Sequence, residues 1–272
     1  MKHVPRLLAE PSSLAVHRAA NPAADLAPPE QAEEVWNAFR DDVGYKDLLQ
    51  VLIDVQQGLC IYCEQRLVDA TGTRVFADYQ VEHVLAKSGG EGRTLNWTNL
   101  AAACSGGTYA HHKDLSRRRA GRASESCGQR KGDLELAAAC DPRGFPLSPS
   151  LVDIGQDGKA TPNPHACNAH GVSNALLAAT INDLLNLNAE RLRVARQKVF
   201  DNLRTWLVPL LKVLLEDAHL TDSQRRQGVE LLVAGRLQPD ANGYLHAFWT
   251  TERCALGPAG EAWLAQHHAD FV

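Results

Sequence analysis

Four cysteines constrain the fold of this 272-residue chain more than any other feature of its sequence. Cys60 and Cys63 are separated by two residues, so a single tight turn can present both thiolates to one zinc ion. Cys104 and Cys127 come later and far apart, and the Gly- and Ser-bearing segment 105–126 must loop out to bring them together. Because zinc takes four tetrahedral ligands, we predict a structural zinc site formed by all four cysteines.

Other interpretations of the cysteines stay open. Cys60 and Cys63 are alternatively two buried thiols in a helix-to-strand turn, and His111 or His112 is a competing zinc ligand. Three further cysteines have no partner at metal spacing, and we expect them to pack in the interior: Cys140, Cys167 and Cys254. The total of seven is odd and the chain shows no secretion signal, so disulfide bonds are not expected.

Polar residues suited to phosphodiester hydrolysis lie among the cysteines. This reaction needs a base that activates water and a cation that stabilises the phosphate. His83 is the candidate base, and Glu82 is the candidate ligand of a hard divalent metal such as Mg²⁺. Adjacent residues of a regular strand point to opposite faces, so the two serve one site only if the strand ends or bends there. We expect Asn99 to orient the loop that carries His83, and Lys131 to contact phosphate.

A basic segment follows the third cysteine. In a chain of net charge −4, nucleic-acid contact must come from a local patch. Such a patch is predicted here, and its phosphate-binding side chains are expected to be Lys113, Arg117, Arg118, Arg119, Arg122 and Arg130. The alternative is that this run is an ordinary solvated loop.

In this order the motifs resemble those of HNH endonucleases of the ββα-metal type, in their zinc-stabilised form. More narrowly, they resemble the HNH nuclease subunit of Septu anti-phage systems and related retron effector proteins. The matching stretches span about residues 35–200 and are Cys60–Glu64, Glu82-His83 with Lys87-Ser88, Trp97–Leu100, Cys127–Gly132, Leu185–Asn188 and Arg191–Arg196. Two positions depart from the pattern. Ala86 stands where Pro is frequent, and Gly128 stands where many HNH enzymes carry a metal-binding His or Asn.

The resemblance implies a fold, cofactors and partners. The fold is α+β, with a small zinc-stabilised ββα-metal HNH unit between N-terminal helices and a C-terminal helical region. The cofactors are structural Zn²⁺ and catalytic Mg²⁺ or Mn²⁺, and the second protein ligand of the catalytic metal stays unassigned. The partners are an ATPase subunit that gates the nuclease and a nucleic-acid substrate, with DNA favoured and RNA as the alternative. The helical region from about Gly171 onward is the candidate docking surface for the ATPase.

Sequence patterns divide the chain into three regions. Residues 1–30 are rich in proline and are expected to form an extended arm. Residues 31–140 are expected to hold helices and the HNH unit, and residues 141–272 a mainly helical region that docks a partner. No apolar run reaches the roughly 18 residues that span a bilayer, and the first ten residues do not resemble a signal peptide. A cytoplasmic location is therefore expected.

Local patterns add more specific expectations. They predict a strand over residues 75–84, a short helix over residues 134–139, and a tight turn at Asp157-Gly158 between two strands. A long amphipathic helix that starts near Leu192 is expected to kink or break at Pro209.

The sequence as a whole predicts a metal-dependent HNH endonuclease that acts as the nuclease effector of a bacterial anti-phage defence system. The alternative is a catalytically inactive, zinc-stapled module that binds nucleic acid or protein. A third interpretation is a structural protein whose cysteines are only buried, and this one predicts no stoichiometric zinc.

Overall fold

Helices and two small antiparallel sheets make up this computed structural model, which describes residues 1–69, 71–73, 78–108, 122–267 and 271. The helices are α1 (Ser12–Ala20), α2 (Ala32–Arg40), α3 (Gly44–Val55), α4 (Cys127–Lys131), α5 (Pro164–Ala169), α6 (Asn174–Ala179), α7 (Glu190–Glu216), α8 (Asp222–Leu237), α9 (Trp249–Leu256) and α10 (Pro258–Gln266). The strands are β1 (Tyr79–His83), β2 (Leu100–Cys104), β3 (Val152–Ile154) and β4 (Ala160–Pro162). This mixture belongs to the expected α+β class.

Helix α1 lies within residues 1–30, for which the sequence predicts an extended arm. Pro11 comes directly before α1, and two short 3-10 turns that follow it also contain proline at their start. Met1 and Val4 are only 3% exposed, and Leu14 of α1 is fully buried in the same core. The prolines therefore mark helix starts, and the apolar residues between them pack on the protein.

Strands β1 and β2 and helix α4 follow one another in the region of the sequence motifs. β1 pairs antiparallel with β2, with Tyr79 opposite Cys104 and His83 opposite Leu100. All five residues of β2 are buried, which accounts for its unbroken run of apolar residues. Helix α4 packs against β2. The backbone N–H of Ile61 donates to the carbonyl of Ala102 at 3.1 Å, which joins the Cys60–Cys63 turn to the same strand.

The second sheet is the hairpin of β3 and β4, and it confirms the turn predicted at Asp157-Gly158. Ile154 pairs with Ala160, and Gly158 adopts a φ of +74°. A β-carbon at Gly158 would stand 2.0 Å from the carbonyl oxygen of Arg193, so a residue without a side chain is needed there.

Two local expectations differ from the structure. The helix predicted over residues 134–139 is wrong, because only a 3-10 turn forms, at Ala138–Cys140. Residues 134–137 have no regular secondary structure, although Leu136 is buried in the core. Helix α7 includes Pro209 within its 27 residues, so the helix does not break at that proline, and the kink expected there stays a prediction.

Two clusters of buried apolar residues form the core. The larger draws on α1, α2, α3, both sheets and the start of α7, so it joins residues from all three predicted regions. The smaller lies among the C-terminal helices and includes Trp249 and Trp263. Within the described residues, the search for a helix long and apolar enough to cross a membrane finds none.

Candidate functional site

The four predicted zinc ligands meet in one buried cluster. Their Sγ atoms all lie within 4.8 Å of one another. Three separations are 4.0 Å (Cys60 to Cys127), 3.6 Å (Cys63 to Cys104) and 3.7 Å (Cys104 to Cys127). A disulfide would need about 2.05 Å, whereas four thiolates at about 2.3 Å from one Zn²⁺ lie roughly 3.8 Å apart by tetrahedral geometry. The cluster can therefore hold a structural zinc ion, as the sequence predicts.

Local backbone structure brings each cysteine to this cluster. Cys60 and Cys63 lie on a turn that an isolated bridge between Leu59 and Arg66 closes. Cys104 is the last residue of β2. Cys127 begins α4 with a φ of +57°, and its backbone N–H donates to the carbonyl of Leu185 at 2.8 Å. The fourth ligand is thus positioned by a contact with a segment almost 60 residues further along the chain.

The electrostatics of the cluster favour a cation. Burial raises the pKa of the Cys127 thiol, and hydrogen bonds with the neighbouring thiols raise it further. Burial also opposes ionisation of Cys63, but hydrogen bonds from the other thiols and the positive charge of Arg191 outweigh it and lower the pKa of Cys63. Without a metal the cluster favours ionisation of Cys63 over that of Cys104 and Cys127, whereas zinc binding requires deprotonated ligands.

The carboxylate of Glu82 is held by two donors. Its Oε1 accepts a hydrogen bond from the Tyr62 hydroxyl at 3.1 Å and lies 3.2 Å from the ammonium group of Lys131. The side chains of Glu82 and Lys131 are 7% and 2% exposed. Burial raises the pKa of Glu82, while Lys131 and Tyr62 oppose that effect by stabilising the charged form. Among the described residues, no hydrogen bond reaches Oε2.

Lys131 is enclosed by oxygen atoms. Its Nζ donates to the carbonyls of His83 and Gly132, each at 3.1 Å, in addition to its ion pair with Glu82. The sequence predicts Lys131 as a phosphate contact. In the structure it lines a cleft and forms an ion pair with Glu82. The same ammonium group thus ties the end of β1 to α4.

The imidazole of His83 has a defined tautomer. Its Nε2 lies 2.9 Å from the carbonyl oxygen of Thr94, and since a carbonyl only accepts, Nε2 carries the proton. The lone pair is therefore on Nδ1. The ring also packs edge-on against Trp36, with centroids 4.5 Å apart. Burial is the main cause that lowers the pKa of His83 to about 4, so the ring is neutral at pH 7.

Asn99 bonds to the backbone on both sides of the turn after His83. Its Oδ1 accepts from the N–H of Leu85 at 2.8 Å, and its Nδ2 donates to the carbonyls of Leu85 and Arg93 at 2.9 and 3.2 Å. Ala86, which stands in place of the frequent proline, is buried and comes directly before a 3-10 turn. The loop after His83 is thus held through Asn99.

Glu82 and His83 line one cleft because β1 ends at His83. The cleft has a volume of about 320 Å³, and Lys131 and Gly128 also line it. Sequence reasoning missed several further lining residues: Trp36, Arg40, Tyr45, Gln80, Lys87, Gln129 and Asp133. Trp36 and Arg40 lie in the region 31–140, for which the sequence predicts helices, and that prediction does not indicate what such a helix packs against.

Gly128 lies directly against the Glu82 carboxylate. A β-carbon at residue 128 would stand 2.0 Å from Oε2 of Glu82. The metal-binding His or Asn found at this position in many HNH enzymes therefore does not fit while Glu82 keeps its observed position. This contact is the physical reason for the second departure from the family pattern.

The predicted basic patch is only partly described. Lys113, Arg117, Arg118 and Arg119 lie outside the described residues, as do the alternative zinc ligands His111 and His112 and the side chain of Arg122. Arg130 is exposed on α4, and its Nε donates to the carbonyl of Asp183 at 3.4 Å. Arg130 is therefore a solvent-accessible cation on the helix that also lines the cleft.

Comparison with known proteins adds an independent observation. No protein-family model matches the chain. A curated protein of Escherichia coli named "Retron Ec83 putative HNH endonuclease" is 30% identical over 189 residues, which is 60% of this chain and 69% of the relative. The fold and the site define an α+β protein with a buried four-cysteine cluster beside a cleft of Glu, His and Lys. The chain belongs to the family of this retron HNH endonuclease.

Proposed function

We propose that this protein is a metal-dependent HNH endonuclease that hydrolyses nucleic-acid phosphodiester bonds. The observation that carries the proposal is the meeting of Glu82, His83 and Lys131 in one cleft, beside a cysteine cluster that fits zinc. Membership in the family of a retron HNH endonuclease supports the same reaction class.

His83 is proposed as the general base. Thr94 holds the proton on Nε2, which leaves the Nδ1 lone pair to accept a proton from water. The burial that lowers the pKa of this ring to about 4 keeps it neutral and able to accept that proton at pH 7. Asn99 is the proposed orienting residue, since it bonds to the backbone on both sides of the turn that follows His83.

Glu82 is proposed to hold a catalytic Mg²⁺ or Mn²⁺. The Glu82 carboxylate fits such an ion because only one of its oxygens is occupied. Its Oε1 is bonded to Tyr62 and Lys131, so Oε2 would be the metal ligand. Mg²⁺ commonly uses one or two carboxylates and fills its other positions with water and substrate phosphate. When bound, the ion would stabilise negative charge on the scissile phosphate.

The substrate is proposed to be a nucleic acid, with DNA favoured and RNA as the alternative. Lys131 is proposed to add positive charge near the scissile phosphate from the cleft wall. Arg130 and the basic residues Lys113, Arg117, Arg118, Arg119 and Arg122 are proposed to contact phosphates further along the strand, which gives affinity without sequence choice.

The biological setting is proposed from the resemblance. The Septu-like motifs and the retron relative favour a nuclease effector of an anti-phage defence system, gated by an ATPase subunit. The helical region beyond Gly171 is proposed as the docking surface for that subunit. Zn²⁺ is proposed to act only as a structural ion.

A cleavage assay tests the proposal. Wild type and His83→Ala are incubated with plasmid DNA and with total RNA, in Mg²⁺ or Mn²⁺, with and without the proposed ATPase subunit. Cleavage that requires His83 and a divalent metal supports the nuclease and identifies the substrate. Absence of cleavage in every condition, from folded and zinc-loaded protein, contradicts it.

One observation favours the alternative of a catalytically inactive, zinc-stapled binding module. Gly128 replaces a metal ligand, and Lys131 already balances the charge of Glu82. This alternative predicts nucleic-acid or protein binding that is equal in wild type and His83→Ala, without cleavage by either.

A further inference from the structure

Two arginines of α7, Arg191 and Arg196, are buried, and within the described residues neither has a carboxylate at ion-pair distance. Arg191 is 9% exposed and Arg196 is 3% exposed. Arg191 donates to Gln65 Oε1 at 3.3 Å, to the carbonyl of Ser124 at 3.2 Å and to the hydroxyl of Ser126. Arg196 donates to the carbonyls of Leu187 and Gly158 at 2.8 and 3.3 Å. Every one of these acceptors in the described chain is neutral.

A buried guanidinium needs a negative partner. Arginine does not lose its proton in proteins, so burial cannot be relieved by neutralisation. Neutral acceptors satisfy its N–H groups but leave its charge uncompensated, and buried charges are generally paired.

Negative charge on the cysteines acts on both arginines. The charge of Arg191 acts on Cys63. Burial lowers the pKa of Arg196, and negative charge on Cys63, Glu64 and Cys127 opposes that effect. The charge of Glu64 is already balanced by the N-terminal ammonium group of Met1 at 2.9 Å, and Thr250 also donates two hydrogen bonds to its carboxylate.

We propose that Arg191 and Arg196 neutralise the zinc centre and thereby set its affinity for the metal. Zn²⁺ with four thiolates carries a net charge of −2, and two guanidinium groups bring the buried assembly to zero. The role accounts for two residues of the Arg191–Arg196 stretch, to which the proposed reaction assigns nothing. The inference rests on zinc binding and not on the nuclease activity.

Arg191 also fixes the chain that carries the fourth ligand. Its bonds to Ser124 and Ser126 lie directly before Cys127, and the Ser126 hydroxyl is 3.4 Å from Cys127 Sγ. Gly107, three residues after Cys104, lies so close that a β-carbon there would stand 2.6 Å from Arg191 Nε. One guanidinium thus contacts the chain beside two of the four zinc ligands.

Asn186 supports the same segment. Its Nδ2 donates to the carbonyls of Ala123 and Glu125 at 2.9 and 2.8 Å. The Leu185–Asn188 turn therefore holds the approach to Cys127 by backbone contacts, while Arg191 and Arg196 supply the charge. Substitutions of the two arginines can therefore test the role of charge without changing the backbone support that Asn186 gives.

Zinc affinity of the full chain tests the inference. Wild type, Arg191→Gln and Arg196→Gln are titrated against a chromogenic chelator to obtain the Kd for Zn²⁺. Arg193→Gln is the matched control, because Arg193 lies on the same helix but is 37% exposed and pairs with Asp157 at the surface. We expect each buried substitution to weaken zinc binding about tenfold or more, as removal of a residue that supports metal ligands commonly does. Arg193→Gln should bind like wild type.

Lysine variants separate charge from hydrogen bonding. Arg191→Lys and Arg196→Lys keep the charge and lose the guanidinium geometry, so they should bind zinc more tightly than the Gln variants. Co²⁺ absorption at saturating metal verifies that each variant still forms a tetrathiolate site, and a Gln variant that fails to form one while its Lys counterpart succeeds supports the role of charge. Equal zinc affinity of Gln variants and wild type, or of Gln and Lys variants, overturns the inference.

Discussion

Gly128 and the Glu82 carboxylate are in contact, with so little space between them that a β-carbon at residue 128 would lie 2.0 Å from Glu82 Oε2. Gly128 does not have a left-handed φ, so its backbone does not require glycine. The requirement is space for the carboxylate that we propose as the metal ligand.

Gly128→Ala should therefore displace Glu82 and reduce cleavage. We expect a loss of about 100-fold in kcat, the order that a displacement of about 1 Å can cost, and a decrease of about 1–3 kcal/mol in the free energy of unfolding from overpacking. Single-turnover cleavage and urea denaturation measure the two effects. Gly144→Ala is the control, since no atom lies within 4 Å of the added β-carbon. Full activity of Gly128→Ala would contradict the proposed role of Glu82.

Tyr62 links the zinc-binding turn to the cleft. Tyr62→Phe removes the donor to Glu82 Oε1, and a lost hydrogen bond to a charged group costs about 1–3 kcal/mol. We expect that loss in urea denaturation of zinc-saturated protein, together with slower cleavage. Tyr45→Phe is the matched control, because Tyr45 lines the same cleft but its hydroxyl contacts the Val81 N–H at 3.5 Å. Equal stability of Tyr62→Phe and Tyr45→Phe would show that the bond to Glu82 contributes little.

His83→Ala should strongly reduce cleavage, with a moderate loss of stability. A general base contributes about 10²–10⁴ in rate, so we expect a loss in that range. Because the ring packs on Trp36 and bonds to Thr94, we expect a loss of about 1–2 kcal/mol in the free energy of unfolding. Cleavage rates and urea denaturation test both, with exposed His170→Ala as the control. Undiminished cleavage by His83→Ala would exclude it as the base.

Removal of zinc should unfold the protein around the cysteine cluster. Structural zinc supplies folding free energy, so a strong chelator is expected to lower the melting temperature and the helical circular dichroism signal, and added Zn²⁺ to restore both. Cys63→Ser should lose stoichiometric zinc and behave like the chelated wild type. Cys254→Ser should keep its zinc, because Cys254 lies outside the cluster. A metal-free protein with unchanged stability would favour plain burial of the cysteines.

Cys254 should be a slow thiol despite being only partly buried. Burial raises its pKa to about 11, and the thiolate is the reactive form. At pH 8 roughly one thousandth of this thiol is ionised, against about a quarter for an ordinary cysteine of pKa about 8.5. Alkylation of Cys254, followed by mass spectrometry, should be about 200-fold slower than that of a free cysteine peptide at pH 8. It should accelerate about tenfold per pH unit up to pH 10, and a rate that levels off near pH 9 would contradict this.

The cysteine ligands could be predicted because their chemistry is specific. Two thiols at the spacing of Cys60 and Cys63 suit a zinc turn, and the two later cysteines complete a tetrahedral set. The hairpin turn at Asp157-Gly158 was also predictable, because its signal lies within two adjacent residues.

Residues 1–30 and 134–139 were less predictable for a physical reason. Proline content suggests an extended arm, but Leu14 gains a buried environment from residues far along the chain, and that gain favours the helix α1. Leu134 and Leu136 look like parts of one helix, yet only Leu136 meets the core. Tertiary packing decides such short segments, because their local preferences are weak.

The sequence by itself determined which chemical groups this protein has and in which order: four thiols, a Glu-His pair, an Asn and a Lys. Only the tertiary structure decided that Glu82 and His83 share a cleft, that Gly128 lies against the Glu82 carboxylate, and that Arg191 bonds to Ser126 beside Cys127. The reason is that these relations depend on residues far apart in the chain. Chain spacing fixes neighbours within a turn, whereas distant groups meet only where packing and charge balance bring them together.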